Sequence, residues 1–111
     1  MEHYSVNISH QARADMRGIL YYIAAHLREP STADHMLNRF EEAALSLETM
    51  PKRFALVPDN YLASMGFRMA SVGNYLLFYI ADSDTHTVNI SRVLYGKQDW
   101  VKLLTKTVQE Q

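Results

Sequence analysis

The chain contains no cysteine, which excludes disulfide bridges, thiolate catalysis and a cysteine-ligated zinc site. With only 4 glycines and 3 prolines in 111 residues, it has neither a glycine-rich loop to cradle phosphate nor a linker-like or low-complexity tract. No apolar run approaches the roughly 20 residues that a membrane helix needs. The start, Met1-Glu2-His3-Tyr4, lacks the basic region and apolar stretch of a signal peptide. A soluble, cytoplasmic protein with no membrane partner is expected. A charge excess of one sign is also missing. The formal net charge is −1 and the isoelectric point about 6.5, whereas nucleic-acid binders usually carry a clear basic excess to meet phosphates. The charge is unevenly placed, however: residues 1–50 carry four basic and seven acidic side chains, and residues 51–111 carry seven basic and five acidic. A face that prefers anions would therefore lie in the second half.

What is present is enough apolar material for one modest core: 48% of residues are hydrophobic, and the length predicts a single domain over 1–111. Tyr4 to Ile8 alternates with period two and predicts a strand, ended by Ser9 as a helix N-cap. Ala12, Met16, Ile19, Leu20, Ile23 and Leu27 then recur at helical spacing, which leaves Arg13, Asp15 and Arg17 for the solvent side. Glu29-Pro30 breaks that helix. Ser31-Thr-Ala-Asp34 has the form of a capping box for a second helix, whose stripe of Ala33, Met36, Leu37, Phe40, Ala44 and Leu47 runs to about Met50. So short a link predicts an antiparallel helical hairpin. Pro51 to Asn60 reads as a loop lying over the core through Phe54, Leu56 and Val57. Phe67–Val72, Tyr75–Ala81 and Thr87–Tyr95 come next as three strands of an antiparallel meander, joined by Gly73-Asn74 and Asp82-Ser-Asp-Thr-His86. Asp99 is placed to cap a short terminal helix carrying Trp100, Leu103, Leu104 and Val108. The expected fold class is α+β, in the order β-α-α-β-β-β, with the hairpin packed on a small, mainly antiparallel sheet.

Two arginines stand out because they fall on strands. Arg92 shares parity with Val88, Ile90 and Leu94, so a regular strand would aim it at an apolar face, where an arginine is almost never left unpaired. Either a bulge turns it away or a carboxylate meets it. Glu41, Glu42 and Glu48 on the second helix are the candidates for a structural pair, and the alternative is a guanidinium held for a partner's carboxylate or a phosphate. Arg68 shares parity with Ala70 and Val72 and reads, from the residues alone, as a solvated edge residue. Tyr95 and Lys97 are candidates for target binding or for acid–base chemistry, and Trp100 reads as the anchor of the terminal helix. The five histidines are scattered with no i, i+3 or i+4 pairing, so neither a metal site nor a cofactor is expected. Asp82-Ser-Asp84 lacks the glycine and terminal glutamate of a calcium loop and reads as turn chemistry.

Three stretches taken together, Gly66-Phe-Arg68, Val72-Gly-Asn-Tyr75-x-x-Phe78-Tyr79 and Ile90-x-Arg92-Val-Leu-Tyr95-Gly-Lys97-x-Asp99-Trp100, resemble the ParE/RelE superfamily, the toxin halves of bacterial type II toxin–antitoxin modules. The resemblance covers the chain from Tyr4 to about Trp100 and implies the same architecture. It also implies a cognate antitoxin whose helix and extended arm cover the sheet and hairpin. RelE-like members are metal-independent, ribosome-dependent mRNA endoribonucleases. In them basic strand residues stabilise charge as a 2′-hydroxyl attacks the adjacent phosphate, and Arg68 matches the position upstream of their central strand. Their central strand typically reads Tyr-Arg-Leu-x-Tyr; here Leu76 replaces the arginine. The ending Arg92-Val-Leu-Tyr95-Gly-Lys97-Gln-Asp99 looks closer to the ParE pattern, with Tyr95 in place of the usual histidine. ParE toxins act by binding DNA gyrase. The resemblance thus favours a gyrase-directed toxin over the ribosome and mRNA as target, with an inactive module that only binds antitoxin as a third reading.

Overall fold

The period-two stretch forms β1, Ser5–Ile8, in a computed structural model that describes residues 2–110. Ser9 comes next in extended conformation, and its Oγ accepts the Ala12 amide at 3.0 Å, which opens α1, His10–Tyr21, as its residue type predicts. The same Oγ donates to the Ser91 carbonyl at 2.9 Å, so the cap also ties the strand–helix junction to the far end of the chain. The first helix continues past Tyr21 as a π turn over Tyr22–His26 and leaves through Arg28 at φ 55°, a left-handed conformation uncommon outside glycine.

The second helix, α2, spans Pro30–Ser46 with Glu29 as its N-cap residue. The capping box expected at Ser31 is therefore not its start. Proline's fixed φ suits a first helical position, and its missing amide is one that a helix start leaves unbonded anyway, so the helix begins at the residue expected only to break its predecessor. After α2, Met50 takes φ 47° and Pro51–Arg53 make a single 3₁₀ turn. Arg53 folds back over this end, donating to the carbonyls of Ser46, Thr49 and Met50. Phe54 and Val57 reach the core as expected, but Leu56 stays exposed and bridges to Arg68 at the sheet edge. The loop then closes with a short helix, α3, Asn60–Ser64, whose start is capped by Asp59 accepting the Leu62 amide.

The remaining strands are β2, Phe67–Val72, β3, Tyr75–Asp82, and β4, Thr87–Tyr95, followed by α4, Trp100–Gln109, capped by Asp99 as expected. The sheet runs in the order β1-β4-β3-β2. The meander is antiparallel, and β1 joins β4 in parallel, so the sheet is mixed. The α+β expectation and the order of its elements hold, with α3 added.

Strand alternation sends neighbouring residues to opposite faces, and both faces are covered. Leu77, Tyr79, Val88 and Ile90 meet Phe40 and Leu47 of the hairpin, while Phe67, Phe78 and Leu94 meet Leu62 and Leu104 on the other side. Trp100 lies over Phe78 with ring centroids 5.0 Å apart, anchoring α4. One irregularity interrupts this alternation. Tyr79 pairs with Ile90 and Phe78 with Arg92, so Ser91 is an extra residue, a β-bulge. Beyond it the parity of β4 is reversed: Val93 joins the hairpin side and Leu94 the α4 side.

Candidate functional site

The bulge decides where Arg92 points. Regular alternation would place it with Val88 and Ile90 against the hairpin; the extra residue moves it opposite Phe78, at the margin where β4 runs between α1 and α4. A carboxylate meets it as well, though not one of the three glutamates expected on the second helix. Asp15 of α1 accepts Nε at 2.7 Å and Nη2 at 2.9 Å, a bidentate pair in which both side chains are close to nine-tenths buried. This corrects the expectation that Asp15 faces solvent. Its place is fixed instead by spacing from Ala12 and Ile19, three residues before and four after, which puts it on the sheet-facing stripe and is the available signal in the sequence.

The pair is also bonded outward. Asp15 Oδ2 accepts the Val93 amide at 3.0 Å, and Arg92 Nη1 donates to Thr107 Oγ1 at 2.9 Å, whose hydroxyl donates in turn to the Leu103 carbonyl. One ion pair thus connects α1, β4 and α4. Its charged groups are met by further hydrogen bonds, the condition under which a buried pair is tolerated.

Around it opens a groove of about 790 Å³ between α1, the end of β4 and the start of α4. Tyr22, Tyr75 and Tyr95 line it, with the Tyr75 and Tyr95 rings 5.8 Å apart. Burial, then the neighbouring Tyr95 and Tyr22, pushes the Tyr75 phenol above its usual range, so it stays protonated as a neutral donor. Of the four candidate residues, Arg92 and Tyr95 share this groove. Lys97 is exposed in the turn after β4. Arg68 is engaged elsewhere: its Nη1 donates to the carbonyls of Lys52 and Phe54, at 3.2 and 2.6 Å, and so pins the loop before α3. Leu76, at the position where a central-strand cation would stand, lies on the α4 face with its neighbours in the apolar cluster. The arrangement brings no set of free cations to one point among the described residues. Among those residues, too, no three histidine, aspartate or glutamate side chains gather where they would hold a metal ion, and no helix is long and apolar enough to cross a membrane.

Comparison with known proteins agrees with this architecture. No curated protein sequence is significantly similar to the chain. Among solved structures, the toxin–antitoxin complex RelBE2 of Mycobacterium tuberculosis superposes with a TM-score of 0.58 at 24% identity, covering 84% of this chain and 98% of that one. A chain of the chromosomal ParDE toxin–antitoxin system of P. aeruginosa superposes with a TM-score of 0.64 at 17% identity, covering 83% and 95%. These likenesses establish the fold. A sequence-family model, that of the ParE toxin of the type II toxin–antitoxin system parDE, matches residues 6–100, from β1 to the first residue of α4. The chain therefore belongs to the ParE toxin family of type II toxin–antitoxin systems.

Proposed function

We propose that the protein is a growth-inhibiting toxin that acts by binding a cellular protein, DNA gyrase, rather than by cleaving RNA, and that a cognate antitoxin neutralises it. The observation that carries this reading is how the strand arginines are used. Metal-independent cleavage of RNA needs cations gathered around the phosphorane. Here Arg92 is closed into a pair with Asp15, Arg68 is bonded to backbone carbonyls, and Leu76 occupies the strand centre. Loss of a single stabilising donor typically costs about 100- to 1000-fold in rate, so the arrangement disfavours an efficient nuclease. The near-neutral isoelectric point of about 6.5 points the same way, since docking into ribosomal RNA calls for a basic surface. Membership of the ParE toxin family supports gyrase as the target. The description of both solved relatives as toxin–antitoxin assemblies supports the antitoxin.

Two assays on the purified protein separate the alternatives. It is expected to inhibit gyrase supercoiling or trap the cleaved-DNA complex, and to leave mRNA on translating ribosomes intact. Codon-specific cleavage that disappears in Arg68→Ala would move it to the ribonuclease side. A folded protein that arrests growth by neither route, while still binding its antitoxin, would be a binding module only.

A further inference from the structure

The two helices of the hairpin present opposite charge to solvent. In α1 the only acid, Asp15, is taken up by Arg92, which leaves the exposed Arg13 and Arg17 without a counter-charge on their own helix. In α2 the outward charges are the exposed acids Asp34, Glu41 and Glu42. Its one arginine, Arg39, reaches aside to the β2–β3 turn, where Nη1 lies 3.1 Å from the place a Cβ on Gly73 would take. Arg13, Arg17 and Glu41 line one cleft of about 230 Å³ in the seam between the helices, yet among the described residues none of the three forms an ion pair within the chain.

The same face is apolar between its charges. Met16, Leu20 and Leu37 line the cleft. Tyr21, one helical turn after Arg17, is 69% exposed, and Leu45, one turn after Glu41, is 64% exposed. Large apolar side chains interleaved with unpaired charges on two adjacent helices mark a surface for protein contact rather than a merely solvated one.

The arrangement is complementary to itself. Arg17 stands midway along the stretch of α1 that lines the cleft, and Glu41 midway along that of α2. A two-fold axis parallel to the helices lays α1 of one copy over α2 of the next and keeps every residue at its height. Arg17 then faces the partner's Glu41, and Leu20 faces the partner's Leu37. Arg13 falls over the partner's Ala44, whose small side chain leaves the long arginine stem a way out to water. An axis across the helices would instead set the basic α1 on its own copy, where like charges repel. Size sets the strength: α2 is about 25 Å long and two helices side by side are about 20 Å wide, so the faces bury about 1,000 Å² in all, at the low end for a specific interface.

We propose that the free protein forms a two-fold dimer through the outer face of its helical hairpin, a four-helix arrangement in which Arg17 and Glu41 pair between copies around an apolar centre of Leu20, Leu37 and Tyr21. Its modest area makes the dimer concentration-dependent rather than permanent. The inference is independent of which target the toxin binds.

Sedimentation of the purified full chain over a concentration series, from low micromolar to near-millimolar, tests it. The mass is expected to rise from that of one chain, 12.8 kDa, toward twice that value. Arg17→Glu and Glu41→Arg each set like charges opposite one another and should each weaken dimerisation at least about tenfold. Mixing these two variants should restore it, because each supplies the charge the other lacks, a rescue that no contact within one chain can produce. Tyr21→Glu, at an exposed position that leaves the fold intact, places an acid over the acidic helix of the partner and should also remain a single chain; melting temperatures confirm that each variant is folded. A parent that keeps the mass of one chain at every concentration, a dimer indifferent to Tyr21→Glu, or folded charge variants whose mixture stays monomeric would each overturn the proposal.

Discussion

At the scale of single residues, Arg92 and Asp15 form the most consequential contact, because each is buried and each is the other's counter-charge. Removing one leaves the other without compensation, so Arg92→Ala and Asp15→Ala should each cost about 3 to 5 kcal/mol in urea denaturation. The double replacement should cost clearly less than the sum, since no orphan charge remains. Arg92→Ala is expected to lose toxicity by unfolding, and the double variant, if folded, separates that loss from a direct role; a folded double variant with full toxicity would place Arg92 in the scaffold alone. The need for a partner is legible in the sequence, because an arginine among alternating apolar residues requires one. Its identity is not: Asp15 is 77 residues away along the chain, and the bulge at Ser91 turns Arg92 from the hairpin face to the margin between α1 and α4, where Asp15 meets it. The parity conflict at Arg92 signals a bulge or a counter-charge, but not which residue is extra or which acid is reached.

At the scale of elements, the junction of β1, α1 and β4 depends on one hydroxyl. Ser9 Oγ accepts the Ala12 amide and donates to the Ser91 carbonyl, so it caps a helix and holds the bulged strand at once. Ser9→Ala should therefore cost about 1 to 2 kcal/mol, at the upper end for an N-cap. It should also speed amide exchange at Ala12 more than at Phe40, and equal acceleration at both sites would count against a local role. Elements are legible where a pattern repeats over several turns or pairs, as in α1, α2 and the meander. They are obscured where one residue decides, as when Pro30 opens α2 and displaces the capping box at Ser31, or when Asp59 starts a helix too short to show a period.

At the scale of the whole molecule, Tyr79 links sheet stability to pH. It is fully buried, and its hydroxyl donates to the Pro51 carbonyl at 2.6 Å, joining the centre of the sheet to the end of the hairpin. Burial raises its phenol from 10.0 to about 12, against a smaller opposing pull from Arg68 and Arg53. The unfolded chain thus gives up this proton first. The contribution is complete below about pH 10 and is lost as pH climbs toward the folded value, amounting to about 2 to 3 kcal/mol in all. Tyr79→Phe should flatten that alkaline decline in denaturation at stepped pH, while costing about 1 to 3 kcal/mol at neutral pH because the Pro51 carbonyl loses its donor. A lesser slope should persist, since burial also raises Tyr75. A decline as steep in the variant as in the parent would remove Tyr79 from this role. The fold class is readable because both helical and strand periods are strong. The groove is not, because it arises where a short parallel strand stops alongside a longer one, a mismatch of lengths visible only after pairing. That same parallel pairing has a bearing on how the molecule is born. The strand made last in the chain stands in the middle of the sheet, and neither its parallel neighbour, Ser5–Ile8, nor its antiparallel one, Tyr75–Asp82, is joined across it until Tyr95 has been synthesised. At about 5 to 20 residues per second, making the stretch from Ser5 to Tyr95 takes roughly 5 to 20 s, during which β1 waits for its neighbour. A polypeptide cut short before β4 therefore cannot assemble the sheet, and the cell meets a competent fold only once β4 has been translated.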